Sequence, residues 1–222
     1  MFWRPEMATT HAMQLMNRIY RHQRHIYDFT RKYYLLGRDR MIAEMDAREG
    51  ARVLEIGCGT GRNLVLAAQK FPAARCFGID VSTEMLNSAV RTVTRAGVAA
   101  RVKVAHGDAT RFDPRLLFGT SQFERIFISY SLSMIPRWET VVDVAISLLA
   151  RGGELRIIDF GDQKRLPGIF RRLLRRWLSA FHVVPRDNLE AVVRARALAA
   201  GASLTFERPY RGYAQYAVLR LP

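Results

Sequence analysis

Three glycines at alternate positions follow a short apolar run just beyond the first quarter of the chain. Residues 52–56 are typical of a buried strand, and Gly57, Gly59 and Gly61 come directly after them. A glycine turn at this point lets the backbone approach a ligand closely, and the helix after it directs N–H groups at the ligand. Glu55, two positions before the first glycine, disfavours a pyrophosphate there and suits an ammonium group.

Further polar residues come at the ends of later predicted strands. Asp80 ends the second strand about 20 residues beyond the glycine turn, where a carboxylate accepts both hydroxyl groups of a ribose. Met85 offers a soft apolar surface to a base. Each residue alone has a structural explanation as a turn or a helix cap, but together they predict a ligand site. The other candidates at strand ends are Val81, Gly107, Asp108, Ala109, Ser129 and Tyr130.

Short β-rich runs alternate with helical runs after residue 50, a pattern typical of a parallel sheet covered on both faces. Ser82 is predicted to cap a helix ending at Gly97, and Asp187 with Glu190 to form a capping box for a helix ending at Gly201. Apolar positions at helical spacing predict an N-terminal helical extension over residues 11–49. The predicted strands are 52–56, 75–80, 101–106, 123–129, 154–159, 203–207 and 213–220.

These motifs together resemble a known family. The pattern Glu55-x-Gly57-x-Gly59-x-Gly61 lacks the later glycine of a dinucleotide turn and is similar to the first motif of class I S-adenosylmethionine (SAM)-dependent methyltransferases. The resemblance implies an α/β fold with a Rossmann-like, doubly wound, seven-stranded sheet. It implies SAM as the cofactor, with Asp108 accepting the adenine amine. The implied binding residues are Glu55, Gly57, Cys58, Gly59, Gly61, Asp80, Val81, Met85, Gly107, Asp108, Ala109, Ser129 and Tyr130.

The charge of the chain predicts an anionic partner. Thirty-five Lys and Arg against 20 Asp and Glu leave a formal charge of +15, which attracts both nucleic acid and an anionic membrane. The segment Lys164–Arg186 contains no acidic residue, and its composition is typical of an interfacial membrane helix. A core-packing helix with a solvated basic face and a nucleic-acid site are the alternatives. The predicted apolar face is Phe170, Leu173, Leu174, Trp177, Leu178 and Phe181, and the opposite face is Arg171, Arg172, Arg175 and Arg176.

A second resemblance narrows the substrate. Four runs are similar to the N-methyltransferases of bacterial betaine-lipid synthesis, which convert diacylglyceryl-homoserine to diacylglyceryl-N,N,N-trimethylhomoserine in three methylations. The resemblance implies a diacyl lipid as the substrate. The runs are Ile26-Tyr27-Asp28-x-Thr30-Arg31, Leu36-Gly37-Arg38, Asp159-Phe160-Gly161-Asp162-Gln163 and Trp177-Leu178-x-x-Phe181-His182-Val183-x-Pro185-Arg186.

The implied headgroup carries a carboxylate and an amine, and the N-terminal residues suit both. Arg24 and Arg31 are candidates for the carboxylate, which a guanidinium holds through two hydrogen bonds. Tyrosine faces suit a nitrogen that becomes a fixed cation as methyl groups accumulate. Water, a tyrosine hydroxyl or His25 is the candidate proton acceptor. The alternative for the tyrosines is packing on the sheet. The candidate tyrosines are Tyr20, Tyr27 and Tyr33.

Length and composition favour a single domain. With 222 residues, of which 49% are hydrophobic, we expect a lid at 1–49, a SAM-binding core at 50–160, a basic amphipathic segment at 161–186 and closing elements at 187–222. Without a long apolar run or a signal-peptide pattern at Met1–Glu6, we expect a cytoplasmic protein, peripheral on the inner membrane face. The spacing of Cys58 and Cys76 suits neither a metal site nor a disulfide, so we expect reduced thiols and no metal.

Three other functions compete with this hypothesis. Methylation of phosphatidylethanolamine would use the same cofactor site and membrane helix but requires room for a phosphate. A quinone C-methyltransferase also acts on a membrane-borne substrate. A basic RNA-binding protein is the non-enzymatic alternative, and the acidic set Glu55, Asp80 and Asp108 argues against it.

Overall fold

The computed structural model describes residues 34–222. Most of the predicted N-terminal extension lies outside this range, as do six of the candidate substrate residues. Their roles therefore stay predictions. These six residues are Tyr20, Arg24, His25, Tyr27, Arg31 and Tyr33.

Helices and strands alternate along the described chain as the sequence predicted. The elements are, in chain order, α1 (Arg38–Ala43), β1 (Arg52–Ile56), α2 (Arg62–Lys70), β2 (Arg75–Asp80), α3 (Thr83–Arg95), β3 (Val102–His106), α4 (Pro114–Phe118), β4 (Phe123–Ser129), a 3-10 helix (Leu132–Met134), α5 (Trp138–Ser147), β5 (Leu149–Phe160), α6 (Gly168–Ala180), α7 (Leu189–Ala199), β6 (Ser203–Glu207), α8 (Pro209–Gly212) and β7 (Ala214–Arg220).

The strands form one seven-stranded sheet in the order β3-β2-β1-β4-β5-β7-β6. Neighbouring strands are parallel from β3 to β5, and β7 runs antiparallel to both β5 and β6. The prediction of a doubly wound α/β sheet is confirmed. Strand order reverses between β1 and β4, and an open sheet of this kind binds ligands in the crevice at the carboxyl ends of its strands near that reversal.

Both faces of the central strands are covered. On β1, Val53 belongs to the apolar cluster on one face of the sheet, and its neighbour Leu54 belongs to the cluster on the other. Strands buried on both faces are rich in branched apolar residues throughout. This burial fixes the strand ends firmly, so the polar residues that follow them are held at one edge of the sheet.

The predicted helix caps had different outcomes. The Oγ of Ser82 accepts a hydrogen bond from the N–H of Met85 at the start of α3, which confirms that cap. The capping box at Asp187 is wrong, because α7 is preceded by Asn188 and has no side-chain cap bond. Asp187 instead accepts a hydrogen bond from Arg175 of α6, 2.7 Å away. The ion pair with a neighbouring helix replaces the local cap.

Candidate functional site

The glycine loop between β1 and α2 adopts a backbone that requires glycine. Gly57, Gly59 and Gly61 have φ values of 77°, 53° and 75°. Space is also restricted, because a Cβ on Gly57 would lie 2.7 Å from the Cβ of Ser131. The loop therefore sits directly against the segment after β4, at the reversal of strand order.

Asp80 joins the glycine loop to the end of β2. Its Oδ2 accepts a hydrogen bond of 2.8 Å from the N–H of Gly59, and its Oδ1 accepts one of 2.9 Å from the N–H of Ser82. These two bonds orient the carboxylate at the strand end. The structure thus places Asp80 where the sequence predicted a partner for ribose hydroxyls, and that role stays a prediction.

The ends of β2 and β3 lie side by side. The N–H of Gly107 donates to the carbonyl of Asp80, 3.1 Å away. The next residue, Asp108, accepts hydrogen bonds from the N–H and hydroxyl of Thr110 and pairs with Arg111. Asp108 therefore caps a turn and begins no helix. The strand end that precedes Asp108 lies next to the one that carries Asp80, and the role of Asp108 at the adenine edge stays a prediction.

A buried acidic corner lies at the end of β1. Glu55 is almost fully buried and accepts a hydrogen bond of 2.7 Å from the side-chain amide of Asn63. The Oδ1 of Asn63 is also buried and accepts no hydrogen bond. A carboxylate beside a buried amide oxygen is rich in acceptors and suits an ammonium group. The corner therefore suits the methionyl ammonium of SAM better than a pyrophosphate, and this role of Glu55 stays a prediction.

Two of the predicted cofactor residues point into the protein. The Cys58 thiol is buried against Gly78, where a Cβ would lie 2.9 Å from the sulfur, and burial raises its pKa well above the usual range. Met85 packs against Met134 and Phe181. The sulfur of Cys58 therefore faces the core, so its predicted role in the cofactor site falls to its backbone and stays a prediction. Val81 is half-buried beside the capped start of α3, and Ala109 packs partly on the core.

Tyr130 occupies the turn after β4 with a φ of 54°, a left-handed conformation that is rare outside glycine. Its hydroxyl donates a hydrogen bond of 2.6 Å to the carbonyl of Leu36. Burial raises the pKa of this hydroxyl well above its usual range. Ser129, which ends β4, is buried, and its hydroxyl has no hydrogen-bond partner. Tyr130 therefore stays protonated at neutral pH, and its predicted role beside the cofactor stays a prediction.

An aromatic pocket lies next to this turn, at the carboxyl ends of β4 and β5. Phe160 ends β5 and contacts Tyr130 edge to face, with ring centroids 4.8 Å apart. Trp177 of α6 stands at 82° to the ring of Tyr34, 4.9 Å away. We call this cavity the aromatic pocket. It is lined by Tyr34, Leu35, Tyr130, Met134, Phe160, Trp177, Leu178, Phe181 and Val183.

Asp159 is a fully buried carboxylate immediately before the pocket residue Phe160. Burial raises its pKa to about 6. Its Oδ2 accepts a hydrogen bond of 3.0 Å from the N–H of Ser133, and its Oδ1 accepts one from the N–H of Phe160. These bonds tie the 3-10 helix to the end of β5, so Asp159 holds the walls of the pocket in position.

Some apolar residues of helix α6 pack on the core, and others are exposed. Leu178 is buried and Leu174 packs partly on the core, but Ile169 and Leu173 are 75% and 61% exposed. Only part of the predicted apolar face is therefore covered by the rest of the described chain. Among the arginines predicted for the opposite face, Arg175 donates to the carbonyl of Asp162 and to Asp187.

Two other features bear on function. No helix within residues 34–222 has the length and apolar content needed to span a membrane. In the same part of the chain, no group of three or more His, Cys, Asp or Glu residues is arranged to hold a metal ion. The buried Cys76, whose pKa burial raises to about 12, is free.

Sequence reasoning missed several residues of this site. Asn63 has no motif of its own and is identified only by its contact with Glu55. Tyr34 and Phe160 belong to the pocket through packing between distant segments. Trp177 was assigned to the apolar face of a helix, and only the fold shows that it lines a cavity. Spacing within one element carries no signal for such contacts.

Comparisons with known proteins agree with this geometry. A family model described as a methyltransferase domain matches residues 53–153. The chain is 31% identical over 193 residues to a phosphatidylethanolamine N-methyltransferase of Cereibacter sphaeroides, covering 82% of this chain and 91% of that protein. It is 24% identical over 192 residues to a ubiquinone/menaquinone biosynthesis C-methyltransferase of Rhizobium meliloti, covering 82% and 70%. A structure of an O-methyltransferase family protein from Burkholderia thailandensis shares the fold, with a TM-score of 0.71 at 17% identity over 95% of this chain and 63% of that one.

Proposed function

Because this chain belongs to the class I SAM-dependent methyltransferases, we propose that it methylates the amine of a diacyl lipid headgroup at a membrane surface. SAM, when bound, supplies an activated methyl group to a nucleophile. The protein then has to hold the acceptor in line and exclude water. Residues at the strand ends hold the cofactor, and the aromatic side chains of Tyr130 and Phe160 lie beside them at the ends of β4 and β5.

Each cofactor residue has a defined part in this proposal. The Glu55 carboxylate and the buried Asn63 oxygen receive the methionyl ammonium. Asp80, already oriented by two backbone N–H groups, accepts the ribose hydroxyls. Asp108 lies at the next strand end and accepts the adenine amine. Tyr130 and its neighbours cover the transferring end and keep water out.

The observation that carries the lipid proposal is the exposed face of α6. Ile169, Phe170 and Leu173 are 75%, 50% and 61% exposed, and Arg172 and Arg176 are exposed on the same helix. A packing role for the helix explains buried Leu178 but leaves this exposed strip unexplained. Apolar side chains beside arginines match an interface between acyl chains and anionic headgroups. We propose that α6 docks the enzyme peripherally on an anionic membrane.

Two headgroups are supported as acceptors, each by a different observation. Diacylglyceryl-homoserine is supported by the motifs at residues 159–163 and 177–186, which resemble the betaine-lipid enzymes. Phosphatidylethanolamine is supported by the 31% identity to an enzyme of that name. Both lipids present a primary amine, and they differ in the anion beside it, a carboxylate or a phosphate. Our primary assignment is diacylglyceryl-homoserine, methylated up to three times.

The test is a methyl-transfer assay with isotopically labelled SAM. Purified protein is offered diacylglyceryl-homoserine, phosphatidylethanolamine and a demethylated quinone in separate mixed micelles, and products are read by mass. One to three methyl groups on the homoserine lipid support the primary assignment, and label on phosphatidylethanolamine replaces it with the second acceptor. Label on the quinone alone, or on no lipid despite SAM binding in calorimetry, rejects amine-lipid methylation.

A further inference from the structure

We propose that the open edge of β3 is a docking site for an extended segment of a partner protein, in which apolar and acidic residues alternate. Such a segment would extend the seven-stranded sheet by one strand. The inference goes beyond the proposed lipid reaction and does not depend on it. Strand β3 is the outermost strand, and three strands separate it from β5, which leads into α6.

A groove runs along β3 between helices α3 and α4. It has a volume of about 280 Å³, many times the roughly 10–15 Å³ that one water molecule needs. Most of its lining is apolar, and the groove is open to solvent. We call it the edge groove. Its apolar lining includes Val90 and Val93 of α3, Val102 and Val104 of β3, and Leu117 and Phe118 of α4.

The outer side of β3 carries unpaired backbone groups. On the inner side, the N–H of Gly107 donates to the carbonyl of Asp80 at the end of β2. The backbone groups of alternate residues point to the same edge of a strand, so those of Val102, Val104 and His106 point away from β2. Within residues 34–222, no other strand pairs with this edge. A free edge of this kind is a template for a further strand.

These backbone groups decide which class of ligand fits the edge groove. Each N–H and each carbonyl needs a hydrogen-bond partner once a ligand displaces water from it. An acyl chain would cover the apolar lining but would leave the backbone groups unpaired. An extended peptide supplies main-chain donors and acceptors to β3 and places its side chains against α3 and α4. The groove therefore suits a peptide strand better than a lipid chain.

The charge around the groove favours an acidic segment. Residues 90–118 contain six Lys and Arg and two Asp, and both aspartates accept hydrogen bonds within the chain. Lys103, Arg95 and Arg115 are exposed on the three elements that form the groove, and none of them has an ion pair within residues 34–222. A second copy of this chain would bring the same cations together, and a lysine on an edge strand disfavours such self-pairing. Acidic side chains complement this surface.

The two faces of β3 set the expected pattern of the partner. Val102 and Val104 pack on the apolar cluster that contains Val93 of α3. Lys103 lies between them and faces the other side of the sheet, where Phe118 packs. Side chains of an added strand alternate in the same way. Residues on the side of Val93 should therefore be apolar, and those on the side of Lys103 should be acidic.

The test uses a fluorescently labelled, end-blocked peptide of seven residues in which valine and glutamate alternate. We expect it to bind the full chain in fluorescence anisotropy and to slow amide hydrogen exchange at Val102, Val104 and His106 more than elsewhere. The same peptide with lysine in place of glutamate should bind at least about 10-fold more weakly. Absence of binding by the glutamate peptide, or equal affinity of the two peptides, overturns the proposal.

Peptides with methylated backbone nitrogens test strand addition directly. Methylating the valine nitrogens removes the N–H groups along one edge of the peptide, and methylating the glutamate nitrogens removes those along the other. Only one edge can bond to β3, so one methylated peptide should bind at least about 10-fold more weakly than the parent and the other should keep its affinity. Equal affinity of the two methylated peptides overturns the proposal, because backbone hydrogen bonds would then make no difference.

Variants of the chain test the role of charge. Lys103→Glu should weaken binding of the glutamate peptide about 5- to 10-fold and strengthen that of the lysine peptide, with unchanged SAM affinity. Arg151→Glu makes the same change of charge on β5 and is the matched control. Lys103→Gln repeats the test if thermal unfolding shows that Lys103→Glu is misfolded. Equal effects at the two positions overturn the proposal, since they would show attraction to net charge alone.

Two further measurements distinguish the other occupants of the edge groove. In sedimentation velocity, a dimer that the glutamate peptide dissociates would replace the partner segment with a second copy of this chain. In anisotropy, displacement of the peptide by phosphatidylglycerol vesicles would assign the surface to an anionic membrane. We expect neither result, and either one overturns the proposal.

Discussion

The carboxylate of Asp80 accepts a hydrogen bond from the backbone N–H of Gly59, with 2.8 Å between Oδ2 and N. The conformation of the glycine loop is therefore coupled to the end of the second strand through one side chain. A charged acceptor bonded to a backbone N–H forms a stronger hydrogen bond than a neutral one. The same carboxylate thus orders the loop and is oriented by it.

Asp80→Asn tests this double role. The amide retains one acceptor for Gly59, but its NH2 group cannot accept the second bond from the N–H of Ser82. We expect SAM affinity in calorimetry to fall about 10- to 100-fold, the usual consequence of losing hydrogen bonds to a charged group. Asp143→Asn removes a surface partner of Arg196 and is the control. Wild-type SAM affinity in Asp80→Asn would remove this residue from the cofactor site.

Gly57→Ala tests the close approach of the loop to Ser131. A Cβ there would lie 2.7 Å from the Cβ of Ser131, and φ is +77°. We expect loss of SAM binding and a fall in the free energy of unfolding of about 2–4 kcal/mol, from the left-handed backbone and the clash together. Gly119→Ala has nearly the same φ, +76°, with open space around the Cβ. This control should lower the free energy of unfolding, measured in urea, by about 1 kcal/mol and should keep SAM binding. An equal loss of stability in the two variants would show that no clash exists at Gly57.

Much of the cofactor site was predictable because it depends on local rules. Parallel strands bring their carboxyl ends to one edge, so residues at the ends of successive strands, such as Asp80 and Asp108, lie at the same edge even though they are far apart in the sequence. The loop glycines are recognisable in the sequence by their spacing, and the structure gives the reason for glycine, because the backbone at Gly57 has a positive φ. The class of fold and the cofactor follow from these features alone.

The rest depends on packing between distant segments. Helical spacing placed Leu173 and Leu178 on one apolar face, but spacing cannot say which part of a face another element covers. Asp187 matched a capping box locally and yet pairs with Arg175, because the neighbouring helix offers a charged partner. The aromatic pocket joins Tyr34 to Trp177, and no periodicity links residues so far apart in the chain.

Tyr130→Phe and Tyr213→Phe test how the chain before α1 is held. The two hydroxyls donate to the carbonyls of Leu36 and Tyr34, at 2.6 and 2.8 Å. Each substitution should lower the free energy of unfolding by about 1 kcal/mol, since a partly buried carbonyl loses its donor. Amide hydrogen exchange at residues 34–37 should accelerate most in the double variant. Unchanged exchange there would mean that other contacts hold the segment.

The buried Asp159 predicts a specific dependence of stability on pH. Burial raises its pKa to about 6, above the value of an unfolded chain, so the folded state binds the extra proton. The contribution of the protonated Asp159 to the free energy of unfolding is complete below about pH 4 and is lost as the pH rises through about 6. A pKa shift of this size corresponds to a change of about 3 kcal/mol in the free energy of unfolding.

Other carboxyl groups, such as Glu44, have lowered pKa values, and their contribution to stability is lost as the pH falls. Comparing the wild type with Asp159→Asn cancels these contributions and leaves that of Asp159. Urea unfolding from pH 4 to 7 should show the stability of the wild type falling relative to the variant. The nearby Arg186 favours the charged form and limits the loss. Parallel curves for the two proteins would place the pKa of Asp159 near its ordinary value.

The most direct test of lipid methylation at a membrane is the rate of labelled methyl transfer from SAM to an amine lipid in anionic vesicles. Leu173→Ser should lower this rate about 5- to 10-fold, because one exposed leucine inserted in the interface contributes roughly 1–1.5 kcal/mol. The same variant should keep the wild-type rate on a short-chain, monomeric amine lipid. Leu198→Ser, which changes an 83% exposed leucine on α7, should leave both rates unchanged. Absence of label in every amine lipid, from a protein that binds SAM, would contradict the account.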